Sequence, residues 1–83
     1  MAVQEVVIGR GGGADLLLPN LHVSRRHAKL SSNSGSFEIE DLESRYGTFL
    51  NGDMSSRVGE VVLNDGDELT LGGQGSVKLV FRA

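Results

Sequence analysis

Apolar residues recur along this chain in short alternating runs separated by glycine- and asparagine-rich punctuation. Glu5-Val6-Val7-Ile8 is β-branched and brief, and Gly9-Arg10 ends it, which predicts a strand. Asp15-Leu16-Leu17-Leu18 is a second strand-like run, closed by the turn pair Pro19-Asn20. Phe37 and Ile39 alternate with Glu38 and Glu40, predicting a half-buried strand over residues 36–42. Asn33-Ser34-Gly35 joins it, as a hairpin turn, to a strand over residues 28–31. Thr48-Phe49-Leu50 precedes Asn51-Gly52, the strongest hairpin signal present, because both central positions of a type I′ turn want positive φ. Val61-Val62-Leu63 follows, then the turn Asn64-Asp65-Gly66-Asp67, then Leu69 and Leu71 between polar neighbours. Gly72-Gly73-Gln74-Gly75 turns the chain once more, and Val77, Leu79 and Phe81 alternate along a final strand.

No segment holds helical period over ten or more residues. Many short strands with Gly/Asn turns predict an all-β fold, a small antiparallel β-sandwich, with residues 1–83 forming one domain.

Composition narrows the function classes. There is no cysteine, hence no disulfide frame, no thiolate chemistry and no structural zinc of the usual kind, and an intracellular setting (cytoplasm or nucleus) fits. No apolar run approaches the roughly 18–20 residues of a membrane span, and no signal-peptide pattern opens the chain. A formal charge of −3 argues against a nucleic-acid surface. The distribution says more: Arg10, Arg25, Arg26, Lys29, Arg45 and Arg57 lie early, while Glu60, Asp65, Asp67 and Glu68 cluster late. Localised arginines on an acidic chain suggest a small anionic ligand.

The candidate chemistry gathers in Val23-Ser24-Arg25-Arg26-His27-Ala28, on a connection between strands, with Gly9-Arg10 as its partner upstream. Ser24 and His27 with Asp41 would be a nucleophile, a base and an orienting acid, but nothing resembles a nucleophile elbow, and a Ser–His pair this close in a loop is more often local hydrogen bonding. His22 and His27, five apart, would face opposite ways on a strand with no further ligand nearby, so no metal is expected. Gly11-Gly12-Gly13 lacks the Lys-Ser/Thr of a P-loop and leads into no helix, so no nucleotide cofactor is expected either. Arg25-Arg26 alone would be a solvated pair. The joint pattern is what carries weight.

That joint pattern resembles the forkhead-associated (FHA) domain, a phosphothreonine-peptide-binding β-sandwich. The resemblance runs through Gly9-Arg10, Val23-Ser24-Arg25-Arg26-His27-Ala28, Asp41-Leu42-Glu43-Ser44-Arg45-Tyr46-Gly47-Thr48-Phe49-Leu50-Asn51-Gly52 and Leu63-Asn64-Asp65-Gly66-Asp67-Glu68-Leu69, in order and in register. It implies that Arg10 and Ser24 hold the phosphate, that Arg45 adds a contact, and that Arg25 and Tyr46 belong to the peptide-binding surface. His27 would brace the loop, Gly9 and Gly47 would be scaffold positions, and Thr48 and Asn51 would tie loops together. Leu21 and His22 would lie on the specificity loop. The chemistry agrees: a phosphothreonine brings about −1.5 to −2 charges and three acceptor oxygens, which suit guanidinium forks and a hydroxyl donor.

Two departures stand out. Tyr46 replaces the usual asparagine, whose amide grips the peptide backbone; Ser-Arg-Tyr-Gly-Thr-Phe is similar to the nibrin branch, which serves DNA-damage signalling, while a place among bacterial kinase-pathway members stays equally open. Only eight residues precede Gly9, whereas the family carries a further N-terminal strand beside its last one. The resemblance implies a non-enzymatic module docking a kinase-phosphorylated, phosphothreonine-containing protein or peptide. The alternative is an assembly domain of the same fold that binds through a sheet face independently of phosphate. An uncovered last strand, guarded by Lys78 and Arg82, predicts a monomer or weak self-association.

Overall fold

Alternation along the chain becomes pairing across it. The computed structural model describes residues 4–72 and 77–82, so most of the turn expected at Gly72-Gly73-Gln74-Gly75 lies outside the described residues. Eight strands form among the described residues: β1 (Gln4–Gly9), β2 (Leu16–Leu17), β3 (Ala28–Asn33), β4 (Ser36–Asp41), β5 (Thr48–Leu50), β6 (Glu60–Leu63), β7 (Glu68–Leu71) and β8 (Val77–Val80). They make a five-stranded sheet in the order β2-β1-β3-β4-β6 and a three-stranded sheet in the order β5-β7-β8.

Register sorts the side chains. Val6, Leu30, Ile39 and Val61 lie opposite one another in a single apolar row across the large sheet. Leu50, Leu69 and Leu79 form the corresponding row of the small one. Because side chains alternate with period two, the neighbouring residues take the other face. There Val7, Lys29, Glu40 and Glu60 form the outward row, with Lys29 paired to Glu5 at 3.3 Å and to Glu40 at 3.5 Å. Between the sheets, Ile8, Val23, Ala28, Ile39, Leu63, Leu69 and Leu71 form the buried core, and Phe37 meets Phe81 with ring centroids 5.1 Å apart. A half-open apolar pocket of about 190 Å³ indents this layer, lined by Ile8, Leu16, Leu30, Ile39 and Val80 among others. Among the described residues β8 pairs with β7 alone.

The pairs are antiparallel with one exception. β2 runs parallel to β1, with Ile8 opposite Leu16 and Gly9 opposite Leu17, and the run expected over residues 15–18 is a strand at only two residues. The expected hairpin at Asn51-Gly52 also needs correction. Both residues do take positive φ, 51° and 77°, and Asp53 N–H donates to the Leu50 carbonyl at 3.1 Å. The strands on either side nevertheless part: β5 pairs with β7 and β6 pairs with β4. Local turn chemistry set the bend, and the need to bury Leu50 and Val61 in different sheets chose the partners.

Candidate functional site

Three connections converge at one end of the sandwich: residues 10–15, 18–27 and 42–47. The first two are zipped by backbone, Arg10 N–H donating to the Ser24 carbonyl at 2.9 Å and Gly11 N–H to that of Arg25 at 3.2 Å. This approach leaves no room at Gly9, where a Cβ would collide with the Arg25 carbonyl oxygen. Glycine is therefore required immediately before Arg10, and the arginine is set at the mouth of the junction.

Arg10, Leu21, Val23, Ser24, Arg45 and Tyr46 line a pocket of about 90 Å³ at this junction. Its donors are pre-oriented. The Arg10 Nε–H donates to the Val23 carbonyl at 2.9 Å, which fixes the guanidinium and leaves its terminal N–H groups available. Ser24 Oγ accepts the Arg45 backbone N–H at 3.0 Å, so its own proton is free to be given to a ligand. The Arg45 guanidinium stands 5.4 Å from the Tyr46 ring centroid, and Tyr46 in turn lies 5.2 Å from the His22 ring. Among the described residues, no carboxylate lines the pocket. Fixed donors without a competing acceptor form an anion site.

Beneath the pocket sits a buried polar scaffold. His27, fully buried, accepts the Ser24 backbone N–H on Nδ1 at 3.0 Å and meets the Gly47 carbonyl through Nε2 at 2.8 Å. Burial is the main cause that pushes its pKa below the usual histidine value, against the opposing Gly47 bond and Asp41 charge. Neither ring nitrogen is directed at the Ser24 hydroxyl, so the pair is not arranged as nucleophile and base. Asp41 is a second hub: Oδ1 accepts the Ser44 hydroxyl at 2.6 Å and the Thr48 hydroxyl at 2.8 Å, and Oδ2 accepts the Ser44 N–H at 3.1 Å. Burial raises its pKa, but these hydrogen bonds outweigh it and hold the carboxyl below the ordinary range. Arg57 closes the group, donating to the Ser44 carbonyl at 2.6 Å beside Asp41 Oδ2 at 3.5 Å. Gly47, at φ 95°, has no space for a Cβ between Phe49 and the Arg57 guanidinium.

Of the residues singled out in the sequence, Arg10, Ser24, Arg45, Tyr46 and Leu21 come together around the pocket, with the His22 ring tilted against Tyr46. Gly9, His27, Gly47 and Thr48 lie directly beneath. Arg25 does not line the pocket; its stem covers Gly11 instead. Asn51 sits at the far end of β5, where it donates to Asp67 at 3.1 Å and accepts the Glu68 N–H at 2.9 Å, tying two turns together away from the pocket. Sequence reasoning missed Ser44 and Arg57 and weighed Asp41 only as a catalytic acid. The signal for Asp41 was available, since hydroxyls at Ser44 and Thr48 follow it at loop spacing; Arg57 carried none.

The chain belongs to the FHA domain family, whose model matches residues 6–72. It is 42% identical over 76 residues to an ABC transporter ATP-binding/permease protein, Rv1747, of Mycobacterium tuberculosis, covering 92% of this chain and 8% of that protein. It is 39% identical over 75 residues to the oxoglutarate dehydrogenase inhibitor of Corynebacterium efficiens, covering 90% of this chain and 49% of the inhibitor. The chain thus spans at most about half the length of these relatives. A structure solved in a structural and functional study of phosphothreonine-dependent FHA domain interactions superimposes with a TM-score of 0.85 at 34% identity, covering 100% of this chain and 80% of that one. The fold is that of the FHA β-sandwich.

Proposed function

We propose that this domain binds a phosphothreonine on a protein partner, with Arg10, Ser24 and Arg45 receiving the phosphate. The observation that carries the reading is the pocket of about 90 Å³ in which Arg10 and Ser24 are each already engaged by a backbone group, with the Ser24 proton free and no carboxylate in the lining among the described residues. Ligand pockets for cofactors and metabolites measure about 300–1,000 Å³, so this one suits a small anionic group presented on a peptide. The larger cleft of about 350 Å³ between Leu50 and Val61 has Arg57 in its lining, but that guanidinium is already engaged by Asp41 and Ser44. Membership of the FHA family, and likeness to a domain studied for phosphothreonine-dependent interactions, supply threonine as the phosphorylated residue.

The role is docking rather than catalysis, supported by the placement of both His27 nitrogens on backbone groups. Protein phosphorylation draws on ATP, which supports an intracellular site of action; among the described residues no helix is long and apolar enough to cross a membrane. Nucleic acid is not a partner on this reading, and the domain acts as a monomer or self-associates weakly.

Calorimetric titration of matched threonine peptides, with and without the phosphate, tests the proposal. Micromolar binding, about −7 to −8 kcal/mol, is expected with phosphate and none without it. Arg10→Ala and Ser24→Ala should each weaken binding by about ten-fold or more, since charge-assisted hydrogen bonds contribute about 1.5–3 kcal/mol. Equal binding of both peptides would transfer the function to a sheet face and overturn the pocket reading.

A further inference from the structure

We propose that the partner carries a second anionic group near its phosphothreonine, and that Arg25 and Arg26 receive it over the bare backbone of Gly11, Gly12 and Gly13. The inference rests on the phosphothreonine reading and extends it to a subsite the pocket does not include.

The first observation is how the cations are distributed. Lys29 pairs with Glu5 and Glu40, Arg57 with Asp41, and Arg82 with Asp65. Among the described residues, Arg25 and Arg26 have no such partner: both are exposed, and neither guanidinium makes a hydrogen bond or an ion pair. They lie beside Arg10 and Arg45, whose charges are not neutralised either. In a chain of net charge −3, four uncompensated guanidiniums at one end repel one another, and an anionic ligand relieves that repulsion.

The second observation is geometric. A Cβ built on Gly11 would meet Arg25 Cβ at 2.8 Å and Cγ at 3.0 Å, and one built on Gly13 would come within 4.0 Å of Arg26 Cδ. Both stems therefore run along the glycine loop. A Cβ on Gly12 would meet nothing within 4 Å, so no side chain stands between this surface and a bound peptide. A fully extended chain spans at most about 3.3–3.6 Å per residue, so Arg10 and Gly13 are at most about 11 Å apart. An extended peptide advances about 3.3 Å per residue. A second anion about two to four residues from the phosphothreonine would therefore reach Arg25 and Arg26, given the length of their side chains.

The shared chemistry is an anion on a peptide side chain, supplied either by Asp or Glu or by a second phosphorylated residue. Calorimetry on the 83-residue chain separates the two. A phosphothreonine peptide with neutral flanks sets the reference; Glu is then placed at each neighbouring position on both sides, and a second phosphothreonine at the position that gains most. The expected result is a gain of about five-fold for Glu on one side only, and about ten-fold or more for the second phosphate. In R25Q/R26Q, with folding verified by thermal unfolding, the ratio of the two affinities should collapse to about one. Comparing two peptides on the same variant cancels any loss common to both. A gain equal on both sides, a gain that survives R25Q/R26Q, or no gain at all would overturn the second subsite while leaving the first intact. If the reference phosphopeptide itself does not bind, the phosphothreonine reading falls and takes this inference with it.

Discussion

His27 holds Ser24 by its backbone and not by its hydroxyl: Nδ1 accepts the Ser24 N–H at 3.0 Å while Nε2 faces the Gly47 carbonyl at 2.8 Å. Only the neutral tautomer with its proton on Nε2 satisfies both contacts, because a protonated ring has no acceptor for the Ser24 N–H. One imidazole thus links two of the three connections around the pocket.

A pH dependence follows. Burial, chiefly, holds the His27 pKa of the folded state below the ordinary value, which is about 6.5 in an unfolded chain. The unfolded chain therefore takes up the proton first. The contribution of the neutral ring is complete above about pH 6.5 and declines as pH falls below it toward the folded pKa. Urea unfolding between about pH 7.5 and 5.5 should report a stability that decreases with acid over that window. His27→Ala should cost about 2–4 kcal/mol at neutral pH and abolish the histidine part of the slope. An unchanged slope in the variant would assign the proton uptake to another group.

Asp41 governs the neighbouring loop in the same manner, as a carboxylate acceptor. It accepts from Ser44 and Thr48, and its side chain is only 8% exposed. Its folded pKa is lowered: burial opposes this, and the hydrogen bonds outweigh burial. The carboxylate's contribution is therefore present above about pH 3.9, the unfolded value, and disappears as pH falls through the folded pKa. Asp41→Asn should destabilise by about 2–3 kcal/mol, because an amide cannot accept from all these donors and also compensate Arg57. The midpoint of urea unfolding at neutral pH checks this; a loss below about 0.5 kcal/mol would show that water replaces the carboxylate.

Thr70 offers a change in the other direction. Its hydroxyl is buried and finds no hydrogen-bond partner among the described residues, on the central strand of the small sheet between Phe49 and Lys78. An unsatisfied buried hydroxyl carries its desolvation cost without return. Thr70→Val keeps shape and β-branching, so it should stabilise by about 1 kcal/mol, read as a higher urea midpoint at unchanged slope. A lower midpoint would reveal a partner for the hydroxyl.

How legible all this was in the sequence varies with how local the cause is. Alternation at Phe37-Glu38-Ile39-Glu40 and Val77-Lys78-Leu79 states which face is buried, and β4 and β8 lie where that pattern places them. Asn51-Gly52 states a bend, which is present, but nothing in two turn residues states which strands will pair afterwards; that depends on which sheet buries Leu50 and Val61. Leu16-Leu17 reads as strand from its composition, yet its parallel register depends on the glycine loop folding back along β1, with Asp15 N–H donating to the Val7 carbonyl at 2.8 Å. The pocket residues were legible as a joint pattern across distant stretches. Arg57 was not, since its contact with Ser44 spans 13 positions and rests on the bend that brings residues 51–59 back over Gly47.

Arg45 and Tyr46 act as one unit. The guanidinium rests over the ring at 5.4 Å, and the ring leans on His22 at 5.2 Å, so Tyr46 helps to hold Arg45 at the pocket. If Arg45 meets the phosphate, Arg45→Ala should weaken phosphopeptide binding by about ten-fold and flatten its salt dependence, because exposed charge attraction is screened. Tyr46→Asn should cost only a few-fold, about 1 kcal/mol or less, the scale of an exposed cation–π contact. The two losses should not add, since once Arg45 is gone the ring has no guanidinium left to orient. Titrations of both single variants and of Arg45→Ala with Tyr46→Asn, repeated at two salt concentrations, measure the coupling. Additive losses would mean that Tyr46 touches the peptide on its own account, and its role would then be contact rather than positioning.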